Sequence, residues 1–429
     1  MKWCKPFGMY AAVFAGLLLA LYLVTVLFAA IPNEAIQKNM RSSARYFANA
    51  DYFAFTDDGL YRNVTDNYAD QIWTNIGWNL GHGNPFEAAL NTGYYNGEGY
   101  PMSAGLHMAV TQGHEANVAY TRYWHGSAAV IRLLHLATDI QGIKTVGLVC
   151  LLLLSCLTVL SLCRGGHWEL GLCVVAALLC VQMGNLRLSV EYMPSFLLCM
   201  ALCPAFIRLE KKGDVSLHIL CIVSGTVTAF FDFLTTETVT LLFPLILVLA
   251  IRSREQRLGS PGQWMKTLVG CCLCWGLAYG CTFLLKWVAA SAVTGENQLW
   301  NALSAAENRL NGSISAESET APNALLAIGA NFSVLFGGSS RLETGRVLAG
   351  LSASALALAA SLRIPGKKQK LLPETWGLLL LGGAVLLRYG VLTNHSYLHS
   401  FFTYRALAST VLAALSAVVI NLCPKKGSR

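Results

Sequence analysis

The sequence predicts an all-α, polytopic transmembrane helix bundle of about ten membrane-spanning helices with a large helical first extracytoplasmic loop. Three observations carry that expectation. Of 429 residues, 55% are hydrophobic and only 13% charged, about half the charged share of a soluble domain, which excludes disorder, fibres and most soluble folds. The apolar residues fall in uninterrupted runs, and a run of ~20 crosses a ~30 Å hydrocarbon layer as a helix. Lys and Arg, finally, collect in alternate connections, as they do on the cytoplasmic side of a membrane.

Met9 to Ile31 is the first run. It exceeds the ~7–15 apolar residues of a secretory signal, and no clear cleavage site follows it, so it reads as an uncleaved first helix. Further spans are expected at 145–163, 167–184, 193–207, 215–232, 237–251, 267–290, 346–362, 374–391 and 403–422. The runs at 193–207 and 237–251 are short enough to be re-entrant or buried segments instead. With the N-terminus inside, the cytoplasmic connections hold Lys2/Lys5, Arg164, Arg208/Lys211/Lys212, Arg252/Arg254/Arg257, Arg363/Lys367/Lys368/Lys370 and Lys425/Lys426/Arg429. The acids sort the other way, with only Glu169, Glu210, Asp214, Glu255 and Glu374 inside. The net charge of +8 is therefore a topology signal, and no nucleic-acid partner is expected.

The chain reads as one integral membrane domain, 1–429. Its parts are a first helix within 1–31, a large outer loop at 32–126, helices two to seven in 127–290, a second outer loop at 291–345 and helices eight to ten in 346–429. Residues 32–126 hold 16 of the 44 Phe, Trp and Tyr, a density that fits anchoring at the headgroup level or the lining of a cavity. In the second loop, Ala324–Phe336 is apolar but short, and is expected to be a helix lying in the membrane interface. The 14 cysteines sit in spans or near cytoplasmic ends, so no disulfide framework is expected. Cys271, Cys272 and Cys274 lack His or carboxylate neighbours in sequence and read as buried small hydrophobes.

Candidate chemistry begins in the first outer loop. The segment Asp66–Ile76 opens a helix with Thr65 or Asp66 as its cap, and Asp66 and Asp70, four apart, would share a face. Two close carboxylates raise the pKa of one of them, which suits a general base or a metal clamp. Alternatively, Asp66 caps the helix and Asp70 faces water. Asp57-Asp58 is a second acidic pair, but Gly59 behind it favours a turn. Downstream lie Arg122, Tyr123, Trp124 and His125, then Arg132 and His135 among apolar neighbours. An Arg between aromatic rings can clamp a phosphate, with a His nearby to supply a proton; snorkelling to lipid headgroups accounts for the same residues. Glu191, Asp232, Glu237, Arg388, His395, His399 and Arg405 sit at or just inside span boundaries, nearly all at outer ends, where an ionisable group is costly unless it faces a cavity or partner. Phosphate loops, zinc helices, nucleophile elbows and dinucleotide fingerprints are absent. The sequences at Asn63, Asn311, Asn331 and Asn394 fit N-x-[ST], a pattern that also arises by chance.

This order of parts, together with the segments Asp66–Ile76, Arg122–Gly126, Phe231–Glu237 and Asn394–Arg405, resembles the GT-C superfamily of polytopic membrane glycosyltransferases. Such enzymes take sugars from polyprenyl-phosphate-linked donors and carry an essential acid in the first outer loop. The resemblance implies Asp70 as first candidate for the catalytic base and Asp66 as second, with Asp57 or Asp58 as outsiders. It implies Arg122, His395, His399 and Arg405 around the departing phosphate, and Tyr123, Trp124 and Trp73 against the sugar. Some members need a divalent cation and others do not; for Mg2+ or Mn2+, Asp70, Asp232 and Glu237, with Glu191, would supply hard oxygen ligands. The implied partners are membrane lipids, the lipid-linked donor and a glycan, lipid or protein acceptor. The compact cytoplasmic connections place the expectation at a bacterial plasma membrane, with both termini cytoplasmic. Two other classes remain open: a transporter or flippase for a lipid-linked or polar cargo, and a non-enzymatic envelope assembly protein.

Overall fold

The computed structural model describes residues 4–56, 59–311, 322–362 and 371–422. It is about 76% helical with almost no strand, and each of the ten predicted spans is occupied by a helix. Among the described residues, seven helices are long and apolar enough to cross a membrane: Phe7–Ala29, Ile140–Arg164, Val190–Lys212, Asp214–Phe231, Pro261–Thr294, Thr344–Leu362 and Ser400–Leu422. The other three expected spans fall outside that set. Trp168–Cys180 has 13 residues, about 20 Å at 1.5 Å per residue. Pro373–Val391 carries Glu374, Arg388 and several glycines in its 19 residues. Val239–Arg254, of 16 residues, is buried on every side from Val239 to Ile251. A helix that is apolar all round belongs at the centre of a bundle, and this one packs against Pro194–Leu209, Pro373–Val391 and Ala408–Leu422.

Asp214–Phe231 and Pro261–Thr294 pack side by side over much of their length. Gly225 permits it, because a Cβ there would overlap the Trp275 carbonyl. One end of the bundle gathers the basic connections. Arg254 forks onto Glu169 with both contacts at 2.8 Å, Arg252 and Arg257 converge on buried Glu210, and His167 meets Glu255 at 3.0 Å.

The opposite end is covered by residues 32–126. Helices Asn33–Ala48, Asn67–Asn79, Pro85–Ala88 and Met102–Gln112 are joined by a two-residue antiparallel ribbon that pairs Gly93 with Ala119 and Tyr94 with Val118. Ile36, Met40, Phe47, Trp73, Leu106 and Val110 form one core with Ile140, Ile143, Val190 and Phe233 of the bundle. The large loop is therefore a cap sharing its core with the membrane helices, and this explains aromatics that a wet loop would not keep. Ala324–Leu335 also departs from expectation. Rather than lying on the surface it buries Ala327, Ala330, Asn331, Phe332, Ser333 and Val334, with Asn331 hydrogen-bonded to Ala327 O, Ser396 O and Thr403 Oγ1. Asn331 is thereby a core polar group and no modification acceptor.

Candidate functional site

Asp66 begins the Asn67–Asn79 helix from outside it. At φ −120° and ψ 71° it is the N-cap, and its carboxylate accepts from Ala69 N at 2.9 Å, satisfying one of the helix's orphan donors. The same side chain lines a cavity of about 560 Å3 between the cap and the bundle. Glu191 faces the same cavity from the short 3-10 turn Val190–Tyr192, where Ser189 Oγ accepts from Glu191 N. The Asp66 and Glu191 carboxyls share a hydrogen bond, which requires a proton on one of them. Burial is the main cause that raises the Asp66 pKa to about 7. The charge of Asp70 adds to the rise, while the Ala69 N–H, Lys144 and Glu191 oppose it.

The donors of the cavity lie on other elements. Arg122 stacks its guanidinium 4.4 Å from the centre of the Tyr120 ring, and its Nε has no hydrogen-bond partner among the described residues. His395 and His399 come from the 393–402 segment with ring centres 4.7 Å apart, His395 Nε2 lying 2.9 Å from Leu234 O. Aromatic side chains line the same cavity. Phe233 is their hub, packed at 4.5 Å on Trp73 and 4.4 Å on Tyr123. Carboxyls, a guanidinium, imidazoles and aromatic rings thus line one cavity, the mixture of aromatic walls and a few convergent polar groups usual for a ligand site.

Of the residues expected at a site, Asp66, Trp73, Arg122, Tyr123, Glu191, His395 and His399 meet around this cavity; Asp70, Trp124, His125, Asp232, Glu237 and Arg405 do not line it. Asp70 is fully buried against Lys144 Nζ at 2.7 Å, with Ser189 Oγ and Val190 N donating to its other oxygen at 2.5 and 2.9 Å. It supports the turn that presents Glu191. Trp124 donates Nε1 to Thr282 O and stacks on Phe230. His125 is buried and bonds the Tyr120 carbonyl through Nε2, so that nitrogen carries the proton; burial, with Lys286 nearby, holds its pKa well below the usual range. Arg405 lies between the Tyr192 and Tyr404 rings and donates to the Phe401 and Arg62 carbonyls. Asp57 and Asp58 lie outside the described residues.

The expected metal set is engaged elsewhere. Asp232 accepts from Ser195 Oγ at 2.7 Å and from Thr235 N at 3.0 Å, Glu237 pairs with Arg388 at 2.9 Å, and Asp70 is held by Lys144. Among the described residues no group of three or more His, Cys, Asp or Glu is arranged to hold a metal. Sequence reasoning passed over Lys144, which stands at the boundary of the expected 145–163 span, and over Tyr52, Tyr68 and Tyr94 in the wall. The aromatic density of 32–126 was the one signal for the latter. Comparison with known proteins finds no similar family model, no similar curated protein and no similar solved structure.

Proposed function

We propose that this chain is a multi-pass membrane glycosyltransferase of the GT-C kind. It would move a sugar from a polyprenyl-phosphate-linked donor to a glycan, lipid or protein acceptor at the extracytoplasmic face of a bacterial plasma membrane, inverting the anomeric carbon. The observation that carries the reading is the single cavity joining the Asp66–Glu191 pair to Arg122, His395 and His399 across aromatic walls, at the bundle end opposite the basic connections. In this reading Asp66 takes the role first expected of Asp70, because Asp66 lines the cavity and Asp70 is buried against Lys144.

The acceptor hydroxyl oxygen attacks the anomeric carbon as the carbon–phosphate oxygen bond breaks, the electron pair leaving with the lipid phosphate. The hydroxyl proton goes to Asp66, whose carboxyl near pH 7 is poised to take it. Arg122 and the two imidazoles offset the charge gathering on the phosphate. Tyr123 and Trp73 offer faces for the sugar ring, and the unpartnered Trp73 Nε1 offers a donor for one of its hydroxyls.

The test is transfer of radiolabelled sugar from a panel of polyprenyl-phosphate donors by the full chain in proteoliposomes. Asp66→Asn should lower transfer by about 100-fold or more while the protein still elutes as a folded species. Undiminished transfer by Asp66→Asn, or movement of a cargo across the vesicle wall with no donor consumed, would overturn the proposal.

A further inference from the structure

A second hollow, of about 200 Å3, opens beside the first on the outer cap. The two are built on the same helix and ribbon. On the Asn67–Asn79 helix, Ile72 and Trp73 border the first and Ile76 the second, one helical turn or about 5 Å apart. On the ribbon, Tyr94 belongs to the first and Gly93 to the second, while Val118 and Ala116 divide the same way. The two linings run side by side along this stretch of helix and ribbon with no residue in common.

The chemistry of the second hollow differs from that of the first. Its polar lining is built from amides, carboxylates and an imidazole, chiefly Asn79, His82, Asn84, Glu87, Asn91 and Glu115. No Lys or Arg lines it, so it offers nothing to balance a phosphate or sulfate. His82 is kept neutral, since burial lowers its pKa more than the charge of Glu115 raises it. The floor is also fixed in place. Asn75 ties helix to ribbon through Tyr95, with Nδ2 donating to Tyr95 O at 2.9 Å and Oδ1 accepting from Tyr95 N at 3.1 Å. Asn79 then donates Nδ2 to Asn75 O and Oδ1. That leaves Asn79 Oδ1 and His82 Nδ1 without partners among the described residues, the first an acceptor suited to a hydroxyl donor and the second a donor or acceptor according to the tautomer.

We infer that this hollow is a binding subsite for a carbohydrate unit bearing no negative charge, holding the continuation of a glycan whose end lies in the first cavity. The assignment of that glycan as acceptor rests on the glycosyltransferase reading; the binding itself does not. Hydroxyls of a neutral sugar, or the ammonium of an amino sugar, satisfy the Glu87 and Glu115 carboxylates, and an anionic sugar is repelled.

The experiment is binding of the full chain in nanodiscs to a glycan array, followed by calorimetry on the best neutral or amino oligosaccharide and its monosaccharide. Binding should favour uncharged or amino glycans of two or more units by at least tenfold over both the monosaccharide and the sulfated or uronic analogues. Glu87→Ala/Glu115→Ala alters exposed side chains only and should erase that gain while leaving the monosaccharide affinity unchanged. Ala116→Trp, which fills the hollow from the exposed ribbon edge, should do the same. Equal oligosaccharide affinity in the wild type and both variants, a preference for anionic glycans, or binding to no oligosaccharide would overturn the inference. Failure of the catalytic reading shows differently, as intact glycan binding with no transfer from any donor.

Discussion

Lys144 Nζ stands 2.7 Å from Asp70 Oδ2, with neither side chain more than 6% exposed. The pair joins the outer cap to the Ile140–Arg164 helix, and the second Asp70 oxygen holds Ser189 and Val190, so it also sets where Glu191 points. Breaking such a pair strands a buried charge, at a cost of about 3–5 kcal/mol, whereas replacing both partners by apolar groups often costs little. Thermal unfolding in detergent should show Asp70→Asn and Lys144→Met each clearly below the wild type. The double variant Asp70→Leu/Lys144→Met should melt above either single variant. Single variants that melt with the wild type would show that the pair bears no load.

Asp66 makes a pH prediction whose sign follows from its environment. Its folded pKa of about 7 lies above the ~3.9 of an exposed Asp, so folding favours the protonated form. The stability this group contributes is complete below about pH 4 and is lost as pH rises through 7. The melting temperature of the wild type should therefore carry a downward component across that window, which Asp66→Asn abolishes. Transfer needs the ionised base and should rise over the same range. An identical melting profile in the variant would place the titration on another group.

The helices were legible because apolar runs mark them directly, and each predicted run is occupied by a helix; seven of the described helices are long and apolar enough to cross a membrane. The site was legible only in part. A period of 3.6 residues puts Asp66 and Asp70 on one face, but Asp66 is a cap outside the helical φ,ψ region, so helical periodicity does not aim its side chain. It turns to the cavity while Asp70 turns to Lys144. That Lys144 is the partner, and that Glu191 meets Asp66, are facts of packing between segments 74 and 125 residues apart. No spacing rule reaches across such distances. Capping and cavity roles, weighed as alternatives for Asp66, turn out to be held by one side chain.

Arg132 predicts a different kind of failure. Fully buried, it donates to the Phe28 carbonyl at 3.0 Å, to Gly77 O and Asn33 Oδ1 at 3.0 and 2.7 Å, and to Ile31 O. These groups join the end of the first helix to the cap. A Lys carries its donors on one nitrogen and cannot span the same fork, and each acceptor left unsatisfied costs about 1–3 kcal/mol. Arg132→Ala should yield no monodisperse protein on size exclusion, and Arg132→Lys should melt well below the wild type. Gly81→Ala should behave likewise, because its Cβ would overlap the guanidinium. A lysine variant as stable as the wild type would remove the clamp from the account.

Arg388 should separate cavity shape from stability. It pairs with Glu237 at 2.9 Å and donates to Ser396 Oγ at 3.1 Å, to Thr235 O at 3.1 Å and to Leu234 O, the carbonyl that His395 also contacts. Leu234 sits at φ 62°, a left-handed conformation that costs a bulky residue roughly 1–2 kcal/mol and persists where surrounding bonds enforce it. Arg388 thus fastens the loop that carries Phe233 to the segment that carries His395, two parts of the cavity wall. Glu237→Leu/Arg388→Met removes both charges together and should retain much of the stability that Arg388→Met alone loses. Neither variant restores the bonds to Leu234 and Ser396, so both should bind a cavity ligand at least about tenfold more weakly, a loss near 1.4 kcal/mol. Melting curves and calorimetry on the same preparations check the two halves separately. A double variant that regains stability and binds as tightly as the wild type would show that Arg388 neutralises Glu237 without shaping the cavity.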